Sequence, residues 1–250
     1  MSLVTIDNTT LTSIANAIRE KNGTTDAYKP SEMPTAISNI ETGGGSGGTY
    51  APRWIRFASY TGNELDYELE NLVATNLIKA TSMFEGCSLL LSVNLLGFGN
   101  SPVTSVESMF RTCSNLKSVD LSNFVTPDLT YCANMFYSCK KLTDVNISRM
   151  VTTKVTSMAQ MFYGAVELTS LDLSNFETPA LTNTSKMFYN CSKLMKIDMR
   201  KFDFSNVTTY TDMFYNVSAS CEIIVKDDAA RDFLLTVRSA MKNIKTVAEL

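Results

Sequence analysis

The sequence predicts an α/β solenoid: one curved stack of 26-residue strand-plus-helix repeats, with a parallel sheet of about six to eight strands along one side. Three observations carry that reading. Met-Phe recurs at an unbroken 26-residue step, from Met83-Phe84 through Met109-Phe110, Met135-Phe136, Met161-Phe162 and Met187-Phe188 to Met213-Phe214. Other apolar columns keep the same register, among them Leu90, Leu116, Leu142, Leu168, Leu194 and Phe98, Phe124, Met150, Phe176, Phe202. Inside each period an alternating run such as Leu116-x-x-Val119-x-Leu121 reads as a short strand with one face inward. The apolar residues that follow, Leu129, Cys132, Met135, Phe136 and Cys139, fall at helical spacing with Thr130 placed to cap them. A fixed period of this length means one unit per repeat that buries its apolar face only by stacking on its neighbours. The Met-Phe pairs are therefore predicted to be buried.

From the N-terminus, residues 1–41 read as a separate helical module. Leu11, Ile14, Ala15 and Ile18 make one amphipathic helix that Lys21-Asn22-Gly23 ends, and Met33, Ile37 and Ile40 lie on a second. Residues 42–49 are a Gly/Ser linker. A hairpin this small owns little core, so it is expected to dock on the solenoid, sister copies or a larger assembly, and otherwise to move relative to the solenoid. Residues 50–225 are the solenoid, with Trp54–Tyr60 as a capping strand and Tyr67 and Leu77 in a degenerate first unit. Residues 226–250 form a C-terminal cap, in which Asp227-Asp228 begins a helix carrying Ala230, Phe233, Leu234, Val237 and Met241 on one face.

Composition narrows the chemistry. The chain has 250 residues, a formal charge of −3 and no histidine, which removes His-based catalysis and His-containing zinc sites. The six cysteines contain no C-x-x-C pair. Four of them, Cys87, Cys113, Cys139 and Cys191, share one column with Ala165 and Val217, so the position wants a small apolar group and the thiols are expected to be free. Mild acidity argues against nucleic acid, and no apolar run approaches the roughly 20 residues of a membrane span. No metal site and no cofactor are expected.

Two rows of residues are candidates for binding. The strand column Asn94, Asp120, Asn146, Asp172, Asp198 projects onto the open sheet face, and the preferred ligand-binding set there is Ser118, Asp120, Asp172, Ser174 and Asp198. Successive coils stand about 4.8 Å apart, which puts Asp172 and Asp198 near the spacing of a retaining glycosidase pair. A catalytic pair needs two unlike environments, whereas a solenoid supplies copies of one, so a polar ladder or ligand contact is favoured over catalysis or a calcium site. The alternative stripe is Tyr137, Tyr163, Tyr189 and Tyr215, which follow Glu85 and Arg111 in the column after Met-Phe. Those rings read either as a stacking platform for sugars or a partner, or as half-buried covers of the helix ends.

Leu168-Thr-Ser-Leu-Asp-Leu-Ser-Asn-Phe176 and Val155-Thr-Ser-Met-Ala-Gln-Met-Phe162 resemble the BspA-like leucine-rich repeats of bacterial and phage surface proteins, over roughly residues 65–225. The resemblance implies a leucine-rich-repeat solenoid that recognises a surface ligand. Ile14-Ala-Asn-Ala-Ile-Arg-Glu-Lys-Asn-Gly-Thr-Thr25 with Pro30-Ser-Glu-Met33 resembles modules of tail and tail-fibre proteins of phages infecting Gram-positive bacteria. Met1–Asp7 lacks a secretory signal, and a virion protein needs none, because it assembles in host cytoplasm and leaves by lysis. The reading is a phage tail-associated receptor-binding protein, not an enzyme, located in the virion. Its expected partners are a host-surface glycan or protein and, through residues 1–41, tail or baseplate proteins, with homo-oligomers left open. The rival readings are a bacterial or prophage surface adhesin on the cell surface and, less favoured, a glycan-cleaving tail enzyme.

Overall fold

The computed structural model describes residues 65–68, 77–95 and 102–250. The expected N-terminal module, the linker and the strand at 54–60 lie outside the described residues. The chain forms a solenoid of parallel strands: β1 (Leu65–Glu68), β2 (Leu90–Asn94), β3 (Ser118–Asp120), β4 (Asp144–Asn146), β5 (Ser170–Asp172), β6 (Lys196–Met199) and β7 (Glu222–Val225). A helix α1 (Asp228–Val237) and a last strand β8 (Ile244–Thr246) follow. Val93, Val119 and Val145 are partners in register, as are Leu171, Ile197 and Ile223, so the 26-residue step of the sequence is the step of the sheet. Tyr67 pairs with Val93, which puts the degenerate first unit in phase.

The core is made of the repeated columns. All six Met-Phe pairs are buried, and Phe110, Phe136 and Phe162 are fully so. Their rings stack from Phe84 to Phe214 with centroids 5.2–5.9 Å apart. Burying each ring contributes about 1.5–3 kcal/mol, and the offset stacks add about 0.5–1.5 kcal/mol each. All six cysteines are free and buried. In the repeated column three thiols donate to the phenylalanine carbonyl of the preceding coil: Cys113 to Phe84, Cys139 to Phe110 and Cys191 to Phe162, at 2.9–3.1 Å.

One expectation needs correction. The half of each repeat after the strand is a chain of tight turns, not a helix, and α1 is the one α-helix among the described residues. In the coil from 103, Val106, Ser108, Phe110 and Thr112 donate their N–H groups to Tyr131, Ala133, Met135 and Tyr137 of the next coil, at 2.7–3.0 Å. The residues between them, Met109, Arg111 and Cys113, donate to the carbonyl three back, at 3.0–3.1 Å. The alternation requires two left-handed residues per coil. The first column is Ser82, Ser108, Asn134, Gln160, Lys186, Asp212, and the second is Gly86, Thr112, Ser138, Gly164, Asn190, Asn216, all with φ between 53° and 75°. Left-handed backbone is unfavourable for most residues and least so for Gly and Asn, and a hydrogen bond to the next coil offsets that cost at each step. The apolar spacing of three to four residues is common to a helix and to these stacked turns, which is why periodicity alone misreads them.

Buried threonines tie the remaining corner. Thr126, Thr152 and Thr178 are almost inaccessible. Thr178 donates to the Asp203 carbonyl (3.2 Å) and accepts from the Asp203 N–H (2.9 Å), so one hydroxyl joins two coils.

The strands number eight, but they form two four-stranded sheets, β1–β4 and β5–β8, instead of the one sheet expected. At the β4/β5 junction several regular couplings fail together. The N–H groups of Leu121 and Leu173 donate to Asn146 and Asp198 at 2.8 and 2.9 Å, whereas the equivalent Ile147 N–H makes no such bond. Ala165 stands where cysteine would donate to the Phe136 carbonyl, and Met150 stands between Phe124 and Phe176. Val145 is half-buried, while Val119 and Leu171 beside it are buried. The turn side stays closed: Phe136 and Ser138 donate to Met161 and Tyr163 at 2.8 and 2.6 Å. The two halves are thus joined along the turn side, while the strand ladder is interrupted between β4 and β5 and side-chain bonds cross beside it, from Thr152 Oγ1 to the Glu177 carbonyl (2.8 Å) and from Asn175 Nδ2 to the Ser148 carbonyl (3.4 Å).

The cap confirms the terminal helix and adds a strand. The Asp227 carboxylate accepts the Ala230 N–H at 3.0 Å, Ala230 and Leu234 are buried, and Phe233 and Val237 pack on the core. Phe233 stacks on Phe204 at 4.9 Å and meets the edge of Tyr210 at 5.3 Å. Met241 is buried beyond the end of the helix. β8 then pairs with β7, covering the last strand edge.

Candidate functional site

The strand-face candidates prove to be turn-formers as well as surface groups. Asp120, Asp172 and Asp198 each accept, on Oδ1, the N–H two residues ahead, from Ser122 (2.9 Å), Ser174 (2.8 Å) and Arg200 (3.2 Å). Asn146 makes the same contact with Ser148 at 3.4 Å. This Asx geometry turns the chain out of each strand, and it explains why the column accepts Asp and Asn alike. The carboxylates differ in access: Asp172 is exposed, Asp120 half-buried, and Asp198 buried beneath Arg200. Arg200 Nε lies 3.0 and 3.1 Å from the two oxygens of Asp198, and Nη2 lies 2.5 Å from Oδ2. Ser118 and Ser174 are half-buried. Asp172 and Asp198 are register partners in one sheet, whereas Ser118 and Asp120 belong to the other. The five therefore do not form one continuous charged row.

The tyrosine stripe is one continuous object. Tyr137, Tyr163, Tyr189 and Tyr215 stack face to face with centroids 4.5–4.7 Å apart and planes within 13°. Arg111 lies 5.1 Å over the outer face of Tyr137 and is itself paired with Glu85 at 2.8 Å. The whole column from Glu85 to Tyr215 is thus an ion pair, a cation–π contact and three ring stacks in series. The three inner rings are half-buried by one another, and Tyr215 is 55% exposed. Consequently the ring edges and hydroxyls face outward along the row, and an open ring face is offered at Tyr215. Burial against Tyr215 and Tyr163, with Asp212 near, holds the Tyr189 phenol above its ordinary pKa.

Among the described residues no group of three or more His, Cys, Asp or Glu is placed to hold a metal ion, and no helix is long and apolar enough to cross a membrane. Burial lifts Cys132, Cys191 and Cys221 to about 12, so these thiols are poor nucleophiles. Two departures that the candidate rows leave out are visible in the sequence: Arg149 stands between Asn123 and Asn175, and Met150 between Phe124 and Phe176.

The repeat geometry agrees with the comparison against protein families. Two overlapping stretches, residues 56–168 and 104–226, match the family described as "Mycoplasma protein of unknown function, DUF285". Together they run over more than half of the chain. The chain belongs to this family. No curated protein matches it at a significant level. A DUF285 chain folded as a 26-residue-repeat solenoid fits a BspA-like repeat protein, and the family and fold together fit a repeat protein of the surface or adhesion type.

Proposed function

We propose that this DUF285 solenoid is the receptor-binding part of a phage tail, an adhesion protein that recognises a glycan or protein on the host surface and carries no catalytic activity. One observation supports this above the others: the tyrosines stand in one continuous row, one ring per coil, so contact is distributed along the stack. Both oxygens of Asp198 are engaged by Arg200, which leaves that carboxyl unsuited to a proton-transfer role beside Asp172. The resemblance of residues 14–33 to tail modules supports attachment of the N-terminal part to tail or baseplate proteins and a location in the virion. The family description names Mycoplasma, and that favours, as the second reading, an adhesin on a bacterial cell surface.

The test is adsorption. The labelled full chain is expected to bind intact Gram-positive host cells saturably and to compete with phage adsorption. Absence of both sinks the proposal, and cell binding without competition transfers it to the adhesin reading. Between the faces, the strand side is tested by Asp120/Asp172/Asp198→Asn and the stripe by Tyr137/Tyr163/Tyr189→Phe. The first set keeps the Asx turns and the second keeps the stack; because Asp198→Asn also breaks the pair with Arg200, melting is measured on each set, and a loss of binding with unchanged melting reports contact.

A further inference from the structure

In a stack of equivalent coils, a unique site has to lie where the repetition breaks, and this solenoid breaks at the β4/β5 junction. A groove of about 340 Å³ opens there across three coils, from Val125 to Glu177. That is the small end of the size range of ligand pockets. Val125 and Met150 give it an apolar lining, and Ser148, Thr153 and Asn175 add hydroxyl and amide groups. Arg149 lines the same groove, is exposed, and makes no ion pair or hydrogen bond among the described residues. Other basic side chains nearby are neutralised: Lys154 by Asp128 at 2.7 Å, and Lys201 by Glu177 at 3.1 Å. The second pair also removes the one carboxylate of the groove wall as a competitor for Arg149. Both residues that set the groove apart replace the residue found in the adjacent coils, Arg149 for Asn123 and Asn175, Met150 for Phe124 and Phe176.

We propose that this groove is an oxyanion-binding site for an acidic saccharide, with Arg149 holding a carboxylate or phosphate and the hydroxyl and amide groups meeting the sugar. A guanidinium forks onto either anion through two parallel hydrogen bonds, and the apolar lining suits the C–H face of a sugar ring. The proposal rests on the adhesion reading and names the chemistry of its ligand.

The test applies the full chain to an array of uronate-bearing, phosphate-bearing and neutral glycans, in parallel with binding to intact host cells. Arg149→Asn and Met150→Phe restore the residues of the neighbouring coils, so both variants retain the fold. Wild type is expected to bind acidic glycans, with at least tenfold weaker binding in Arg149→Asn and a comparable loss in Met150→Phe as the larger ring fills the junction. Binding confined to the uronate or to the phosphate members identifies the source of the anion. Unchanged affinity in Arg149→Asn, or a preference for neutral glycans, overturns the site. Cell binding with no acidic glycan bound overturns the site alone, whereas loss of both overturns the adhesion reading as well.

Discussion

Single side chains in this solenoid are tested by their column mates. Thr184 is fully buried and its hydroxyl has no hydrogen-bond partner, while Ala80, Val106, Cys132 and Met158 fill the same position in other coils. Thr184→Val keeps the shape and removes the stranded hydroxyl. It is expected to stabilise the fold by about 1 kcal/mol, measured as a rise in melting temperature, and a fall would mean that the hydroxyl is satisfied in solution. The cysteines give a second check. Thiol reagent should find none of the six in the native protein and all six after unfolding. Burial lifts Cys132, Cys191 and Cys221 from an ordinary 9.0 to about 12. With the folded value raised, their contribution to stability is complete below pH 9 and declines from there towards pH 12, as the unfolded thiols ionise first. Alkaline melting curves read that slope directly. At this scale the sequence was fully legible for the core, because Ala165 and Val217 in the cysteine column already declared an apolar site.

At the scale of one coil, the strand was legible and the turn segment was not. Alternation of apolar and polar residues identifies Ser118–Asp120 without ambiguity, and the register of Val119 with Val145 follows from the period. The stretch from Leu129 to Cys139 shows helical spacing, yet its hydrogen bonds run to the next coil, a partner that local sequence does not display. The signal was the second left-handed column, Gly86, Thr112, Ser138, Gly164, Asn190 and Asn216, rich in the residues that tolerate positive φ. Substitutions at Gly164 follow. A β-carbon there meets Ser138 Oγ and Cα at 3.5 and 3.7 Å, ordinary contact, so backbone strain decides. Gly164→Asn is expected to be nearly neutral and Gly164→Val to cost about 1–2 kcal/mol, with equal losses counting against the left-handed turn. The strand-face acids obey the same logic: Asp172→Asn should leave stability unchanged, since Asn146 forms the same turn, whereas Asp172→Ala removes the acceptor of the Ser174 N–H and should cost about 0.5–1.5 kcal/mol.

For the whole molecule, the period announced the stack and the number of strands, while the division into two sheets coincides with departures in separate columns, Met150 and Ala165, whose joint effect no single column reveals. At the C-terminal end Glu222 joins three strands, bonded to Lys245 at 2.5 Å and Lys196 at 3.1 Å. The Lys245 hydrogen bond, and then that of Lys196, hold its carboxyl below the ordinary 4.5. With the folded value depressed, its contribution is present above pH 4.5 and is lost as pH falls through the depressed value. Glu222→Gln should flatten the acid side of the stability profile, and an unchanged profile would show that the clamp is idle in solution.

The parted junction has a mechanical consequence. The bonds between coils point along the solenoid axis, so a force applied at the two ends loads them in tension, one coil after another, and does not shear many at once. Resistance is lowest where rungs are missing, between β4 and β5. A coil that detaches exchanges a rise of about 4.8 Å for 26 residues of free chain, roughly 80–90 Å of new length. Optical-trap extension of the full chain should show a series of steps of that size, beginning with a low-force event at the junction, and Met150→Phe should raise the force of that first event. A stack built this way yields gradually under load, lengthening before it parts.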